Sequence, residues 1–311
     1  MEEVIQRIID NVKRVIIGKD EIIQQILICL LSEGHILLEG APGLGKTRLA
    51  IALARSVKGD FKRIQFTPDV LPSDVTGFYV YNKELGDFEY KDGAVRCHFL
   101  LADEINRASP RVQSSLLEAM EERQVTVEGT TKRLPNPFMV IATQNTIEHQ
   151  GTYPLPEAQM DRFFMKLHLE YPSREEWEEI LQQSEGMDPL KTLEQVVSLE
   201  ELEKVKKRLE QVVVSKEVKA YLLDLTEAIS RHELVELGIS PRGTIALLKA
   251  TRGAAIVGGR SYAVPDDVQR VLKAVVGHRL VLKATAKWKS SEVDDILKEA
   301  LEQVTPPVFN V

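Results

Sequence analysis

The sequence predicts an α/β domain with a parallel β-sheet over residues 1–171, followed by an all-α domain over residues 172–311. In the first part, continuous apolar runs typical of strands buried on both faces alternate with helical patterns. A glycine-rich motif joins one of these runs to a helix, which is the order found in phosphate-binding loops. In the second part the chain is charged and helical, with capping boxes starting at Ser173 and Ser198 and no strand pattern of weight.

The motif consists of Gly40, Ala41, Pro42, Gly43, Leu44, Gly45, Lys46 and Thr47. It matches G-x-x-x-x-G-K-[ST], and it stands between an apolar run and a helical stretch. Its glycines let the main chain wrap closely around a polyphosphate, so that N–H groups and the helix N-terminus face the phosphate oxygens. We expect Lys46 to reach the β- and γ-phosphates and the Thr47 hydroxyl to bind Mg²⁺. The motif therefore predicts a P-loop that binds ATP with Mg²⁺.

Acidic and amide side chains follow two further apolar runs. The run at 97–102 ends in Asp103 and Glu104, and ligands bind where parallel strands end. We expect Asp103 to hold Mg²⁺ through water and Glu104 to polarise the attacking water, although two acids can also simply cap a helix N-terminus. The run at 138–143 ends in Gln144-Asn145. We expect Asn145 to orient a water or touch a γ-phosphate, unless it is only a turn residue.

Composition excludes several classes of function. The chain has 43% hydrophobic and 28% charged residues, and its net charge of -7 gives no global attraction to nucleic acid or to an anionic membrane. Cys29 and Cys97 lie in apolar runs, which predicts buried free thiols rather than a disulfide or metal site.

The apolar stretch at 22–31 is too short and too polar to span a bilayer. It also has no cationic leader. We therefore expect a cytoplasmic protein without membrane insertion.

Two segments interrupt the α/β pattern. Residues 67–96 contain short aromatic runs between prolines and glycines, which predicts a turn-rich hairpin or a lid whose removal spares the fold. A surface hairpin that only packs is an equal alternative. Residues 124–134 alternate and turn at Gly129, as a short β-hairpin does. This second hairpin carries Lys132 and Arg133 near its tip or return strand.

Several motifs in the right order resemble the MoxR family of AAA+ ATPases. These motifs are residues 40–47, 101–108, 142–145, 151–163, 239–242 and 259–260. The match covers nearly the whole chain, and it implies an AAA+ P-loop NTPase core with a parallel five-stranded sheet, followed by an α-helical lid domain. One departure is Thr146, where the family commonly has proline.

The resemblance also implies roles for particular residues. Asn145 looks like sensor 1, Arg162 looks like the arginine finger, and Arg242 looks like sensor 2. From the sequence alone, Arg162 is either a surface ion-pair partner or a charge offered to a neighbouring subunit. The segments 67–96 and 124–134 look like the helix-2 insertion and the pre-sensor-1 hairpin of one AAA+ branch.

By this resemblance the chain is a MgATP-hydrolysing motor that forms a homo-oligomer, expected to be a hexameric ring. Its expected role is that of a chaperone which matures or activates protein partner complexes, with von Willebrand factor A-domain proteins as typical partners. Two alternatives stay open. A nucleic-acid translocase conflicts with the net charge and depends on Lys132 and Arg133. A nucleotide-switched scaffold with little turnover conflicts with the presence of Glu104 and Arg162.

Overall fold

A parallel β-sheet forms the centre of the first part of the chain. The computed structural model describes residues 2–145, 152–284 and 293–308, so Thr146 lies outside the described residues. The sheet contains β1 (Ile36–Gly40), β2 (Phe61–Gln65), β5 (Phe99–Asp103), β8 (Met139–Asn145) and β9 (Met165–Leu169). Their order is β2-β5-β8-β1-β9, and each neighbouring pair is parallel. This confirms the predicted five-stranded parallel sheet.

Because the strands are parallel, the sheet has two distinct edges. We call the edge where the strands end the carboxyl edge, and the edge where they begin the amino edge. Strands β5 and β8 are buried along nearly their whole length, as their continuous apolar sequences predict. The helices around the sheet are α1 (Glu2–Lys13), α2 (Asp20–Leu31), α3 (Lys46–Ser56), α4 (Pro72–Thr76), α5 (Pro110–Glu122) and α6 (Glu157–Met160).

Two antiparallel hairpins project from this α/β core. The first consists of β3 (Gly77–Asn82) and β4 (Asp87–Asp92), within the segment predicted as an insertion. The second consists of β6 (Gln124–Val127) and β7 (Thr130–Arg133), and it confirms the hairpin predicted at 124–134.

The second part of the chain is mainly helical. It contains α7 (Arg174–Ser184), α8 (Leu199–Leu209), α9 (Lys216–Ser230), α10 (Pro241–Val257), α11 (Pro265–Val276) and α12 (Val293–Gln303). The hydroxyls of Ser173 and Ser198 accept hydrogen bonds that close the two predicted capping boxes. A small antiparallel pair, β10 (Val235–Leu237) with β11 (Val281–Leu282), was not predicted. These strands are too short to produce a recognisable alternation.

The helical part and the N-terminal helices share one apolar core. Buried side chains of α1 and α2 belong to the same cluster as those of α8 to α11. Helix α10 approaches α2 closely at Gly253, where an added Cβ would lie only 2.8 Å from Ile28 Cγ2. The domain boundary near residue 171 stays a prediction, because this apolar cluster extends across it. Both cysteines are buried and free, as predicted. None of the helices in the described ranges is long and apolar enough to cross a membrane.

Candidate nucleotide site

The glycine-rich loop lies at the carboxyl edge, between the end of β1 and the start of α3. Gly43 and Gly45 adopt φ values of +84° and +85°, a left-handed backbone that side chains disfavour. An added Cβ at either position would meet no atom within 4 Å, so the requirement for glycine comes from the backbone and not from crowding. The loop leads directly into α3, and Gly45 at the N-cap has no side chain to accept from the first-turn N–H groups, so an anion can accept from them as at other helix N-termini.

Lys46 is buried at the base of this loop. Its Nζ donates hydrogen bonds to the carbonyl of Gly40 at 2.5 Å, to the carbonyl of Ala41 at 3.2 Å and to Oδ1 of Asn145 at 2.9 Å. Burial lowers the pKa of Lys46, and nearby carboxylates, chiefly that of Asp103, oppose this shift. The amine is thus held between the loop and the end of β8.

The carboxylate of Asp103 lies at the end of β5 among hydroxyl groups. The Thr143 hydroxyl donates to its Oδ1 at 2.5 Å, and the Thr47 hydroxyl donates to its Oδ2 at 3.3 Å. Arg63 on β2 also contacts Oδ2, through Nη2 at 2.7 Å. A hydroxyl and a carboxylate so close together are the hard oxygen ligands that Mg²⁺ prefers. The side chains of Thr47 and Asp103 therefore fit a magnesium ion.

Glu104 occupies a strained position directly after β5. Its φ of +57° is uncommon for a residue with a side chain. Its N–H donates to the Thr143 hydroxyl at 2.9 Å, so this threonine holds both acids of the pair. The Glu104 carboxylate accepts from Nδ2 of Asn145 at 3.0 Å and pairs with Nη1 of Arg107 at 3.2 Å. The strain thus turns the carboxylate toward the end of β8.

Asn145 connects the two halves of this site. Its Oδ1 accepts from Lys46 while its Nδ2 donates to Glu104. The structure therefore brings the P-loop, Thr47, Asp103, Glu104 and Asn145 together at the carboxyl edge.

Arg162 and Arg242 lie elsewhere. Nε of Arg162 is 3.0 Å from Oε2 of Glu121, and Nη1 of Arg242 is 3.2 Å from Oε1 of the same carboxylate. Arg162 immediately precedes β9, whose first residue, Met165, pairs with Ile36 at the start of β1. Both arginines therefore lie toward the amino edge. At about 3.3 Å per residue, the strands alone separate this edge from the P-loop by roughly 13 Å.

Comparison with known proteins identifies the family. Residues 35–165 match a family model described as "ATPase family associated with various cellular activities (AAA)", and residues 227–300 match the AAA lid domain. Chaperone MoxR1 of Mycobacterium tuberculosis is 41% identical over 98% of this chain and 83% of its own length. The chain belongs to the MoxR family of AAA+ ATPases.

Other similar proteins also match nearly the whole chain. The uncharacterized protein YeaC of Bacillus subtilis is 45% identical over 96% of this chain and 94% of its own length. Protein MoxR of Methylorubrum extorquens is 30% identical over 96% of this chain and 93% of its own length. A crystal structure of a candidate ATPase from Cytophaga hutchinsonii superposes with a TM-score of 0.91 at 38% identity, covering 99% of this chain and 96% of that one.

A cavity of about 480 Å³ beside the P-loop of this MoxR chain was missed by sequence reasoning. It is lined by the loop at Gly43–Gly45, by residues 15–17 before α2, and by Trp177 and Ile180 of α7. Such an apolar cleft next to a phosphate site can hold a nucleotide base and ribose. The cavity could not be predicted because three distant segments form it. The one available signal was Trp177, which stands with Ile180 and Leu181 among the charged and polar residues of α7.

The two hairpins of this MoxR chain contact each other. Nζ of Lys132 on β7 lies 4.4 Å from the ring centroid of Tyr90 and 6.0 Å from that of Tyr79, within cation–π range. Further along the first hairpin, the rings of Tyr81 and Phe88 pack 5.5 Å apart and are 52% and 63% exposed. The first hairpin therefore has an aromatic face that Lys132 covers near its base and that is open near its tip.

Proposed function

We propose that this MoxR protein hydrolyses MgATP at the interfaces of a homo-oligomeric ring and uses the energy to remodel protein clients. The observation that carries this proposal is the separation of two groups of residues. Phosphate-binding and carboxylate groups gather at the carboxyl edge, whereas Arg162 and Arg242 share Glu121 toward the amino edge. The first group would bind ATP in its own subunit, and the second group would complete the ATP site of a neighbouring subunit.

ATP binding would use the P-loop and the cavity beside it. The N–H groups of residues 40–47 and the Lys46 amine would contact the phosphates. The cavity lined by Trp177 and Ile180 would hold the base. The Thr47 hydroxyl and the Asp103 carboxylate would hold Mg²⁺, which supplies charge neutralisation of the phosphates.

Glu104 and Asn145 would position the attacking water. Hydrolysis places a water in line with the γ-phosphate, and a carboxylate that accepts its proton raises its nucleophilicity. The Glu104 carboxylate is within hydrogen-bond distance of Asn145, whose other end contacts Lys46. This chain of contacts supports a role for Asn145 in linking the γ-phosphate to the orientation of Glu104.

Arg162 and Arg242 would act on the ATP of a neighbouring subunit. The transition state spreads negative charge over the γ-oxygens, and an arginine supplied by a second subunit is worth about 10³ to 10⁵ in rate in P-loop enzymes. An arginine toward the amino edge is too far from its own P-loop to serve it. The resemblance implies that a hexamer is the assembly that joins these two edges.

The exposed aromatic hairpin supports a protein client. The Tyr81 and Phe88 rings offer apolar contact surface, and Lys132 faces tyrosines of its own chain, where a nucleic-acid contact would need it free. We infer a cytoplasmic chaperone whose clients include a von Willebrand factor A-domain protein or a complex that contains one.

A mixing experiment tests the division of the site. Neither Arg162→Ala nor Lys46→Ala protein alone should hydrolyse ATP at an appreciable rate. Mixed rings should regain activity, because a Lys46→Ala subunit still donates arginines and an Arg162→Ala subunit still binds ATP. Specific activity of the unmodified protein should also rise with concentration as subunits assemble. Turnover that is independent of concentration, together with no rescue on mixing, would reject the proposal.

A further inference from the structure

Glu121 lies in the last turn of α5 and contacts both proposed trans-acting arginines. Its Oε2 is 3.0 Å from Nε of Arg162, and its Oε1 is 3.2 Å from Nη1 of Arg242. One carboxylate therefore joins the turn before β9 to the first turn of α10.

Ordinary helix electrostatics do not account for these positions. Glu121 is an acid in the last turn of its helix, and Arg242 is a cation in the first turn of its helix. Each charge is on the end of a helix dipole that disfavours it. The contact between the two side chains offsets both unfavourable placements.

The main chain around Arg162 is anchored separately. The buried side chain of Arg279 pairs with the carboxylate of Asp161 at 2.6 Å and donates to the carbonyl of Phe163 at 2.8 Å. The turn is therefore held from inside the protein. What remains variable is the direction of the Arg162 side chain, which is 30% exposed and meets Glu121, itself 37% exposed, near the surface.

We propose that Glu121 is a positioning residue that holds Arg162 and Arg242 in the geometry that a neighbouring subunit's nucleotide site requires. This inference rests on the proposed action of both arginines across a subunit interface. Arginine has five donor N–H groups, so a guanidinium group held at one nitrogen by Glu121 keeps others for phosphate oxygens. Holding both side chains in advance lowers the entropy lost when the interface closes on the transition state.

The test compares Glu121→Ala with Glu122→Ala, which removes the same charge from the next residue at the same exposed helix end. We expect Glu121→Ala to lower kcat roughly 10- to 100-fold, the range that misplacement of a catalytic group produces. The KM for ATP should not change, because ATP is bound by the other edge of the sheet. Glu121→Gln should give an intermediate kcat, since its amide oxygen still accepts from an arginine. Glu122→Ala should leave kcat unchanged, and both alanine variants should have similar melting temperatures.

Subunit mixing separates a positioning role from a structural one. Glu121→Ala protein mixed with Lys46→Ala protein should regain activity, because the Lys46→Ala subunits donate intact arginines. Glu121→Ala mixed with Arg162→Ala should not, because both proteins lack a working donor edge. In an Arg162→Ala/Arg242→Ala background, Glu121→Ala should cause no further loss of kcat.

The outcomes distinguish this inference from the proposed function. If Arg162→Ala lowers kcat and Glu121→Ala does not lower it, the positioning role is wrong and the trans mechanism stands. Rescue of Glu121→Ala by Arg162→Ala subunits would also overturn the positioning role. If Arg162→Ala and Arg242→Ala both leave kcat unchanged, the trans mechanism fails and the role of Glu121 fails with it.

Discussion

The guanidinium group of Arg63 contacts the carboxylate of Asp103 through two nitrogens, with Nη2 at 2.7 Å and Nε at 3.2 Å from Oδ2. Strand β2 is the outermost strand of the sheet and pairs with β5. The Arg63 side chain on β2 therefore reaches the carboxylate that we propose for Mg²⁺. The same oxygen accepts the Thr47 hydroxyl. Arg63 would therefore compete electrostatically with the Mg²⁺ that we propose at this oxygen.

Removing that competition should change the magnesium requirement. We expect Arg63→Gln to lower the Mg²⁺ concentration for half-maximal ATPase activity about 5-fold, which corresponds to the roughly 1 kcal/mol of a partly exposed ion pair. Lys62→Gln is the control, because Lys62 is the adjacent strand residue and donates instead to the carbonyl of Gly93. A magnesium titration of phosphate release measures both variants. An unchanged or increased requirement in Arg63→Gln would contradict the competition.

Substitutions of Lys46 and Glu104 should separate binding from hydrolysis. We expect Lys46→Ala to abolish ATP binding, because it removes a ground-state phosphate contact. Glu104→Gln should bind ATP normally and stall hydrolysis, since an amide can still accept the Asn145 hydrogen bond but cannot take a proton from water. Calorimetric titration with ATP and a phosphate-release assay measure the two steps. The control is Glu118→Gln, which changes an exposed acid on α5. Hydrolysis by Glu104→Gln at the parental rate would exclude Glu104 as the base.

The tip of the first hairpin should be dispensable for folding, but the whole insertion should not. Val75 and Val95 are fully buried in the core, so we now expect that removal of all of residues 67–96 harms folding, contrary to the expectation from the sequence. In contrast, Tyr81→Ser/Phe88→Ser changes only exposed rings. We expect this double variant to keep its melting temperature and basal ATPase rate, whereas deletion of 67–96 prevents folding. Thermal unfolding by circular dichroism checks both; a large fall in the double variant's melting temperature would show that the rings belong to the core.

His35 should make the protein less stable in acid. Its Nδ1 accepts the N–H of Val140 and its Nε2 faces the carbonyl of Met120, so the buried ring is neutral and has no site for a second proton. Burial lowers its pKa from 6.5 to about 3. The unfolded chain therefore binds a proton that the folded chain does not, and stability is lost as pH falls from about 6.5 toward 3, by roughly 1.4 kcal/mol per pH unit.

Denaturant titrations at several pH values measure this loss. His35→Gln should reduce the slope of unfolding free energy against pH by roughly 1.4 kcal/mol per pH unit, which corresponds to the uptake of one proton on unfolding. His168→Gln is the control, because His168 is exposed on β9. His278, whose pKa burial also lowers to about 3, contributes to the slope that remains. Equal slopes in His35→Gln and the unmodified protein would exclude His35 as the source.

Sequence reasoning predicted the features that depend on neighbouring residues. The P-loop and the acids after β5 are local patterns, and continuous apolar runs predict the parallel sheet. Because parallel strands end at the same edge of a sheet, the proximity of Lys46, Asp103 and Asn145 could be predicted. The contact of Arg242 with Glu121 could not, because no local pattern relates a helix C-terminus to a distant helix N-terminus. The same holds for Arg63, whose role depends on which strand lies beside β5.

The separation of the two edges of the sheet also determines how many complete nucleotide sites an assembly of subunits contains. If each subunit receives arginines at one edge and donates them at the other, an open row of subunits always has one nucleotide site without arginines and one pair of arginines without a site. Each added subunit moves these two ends apart without removing them. Only closure of the row into a ring makes every site complete, so geometry alone would make the closed assembly the fully active one.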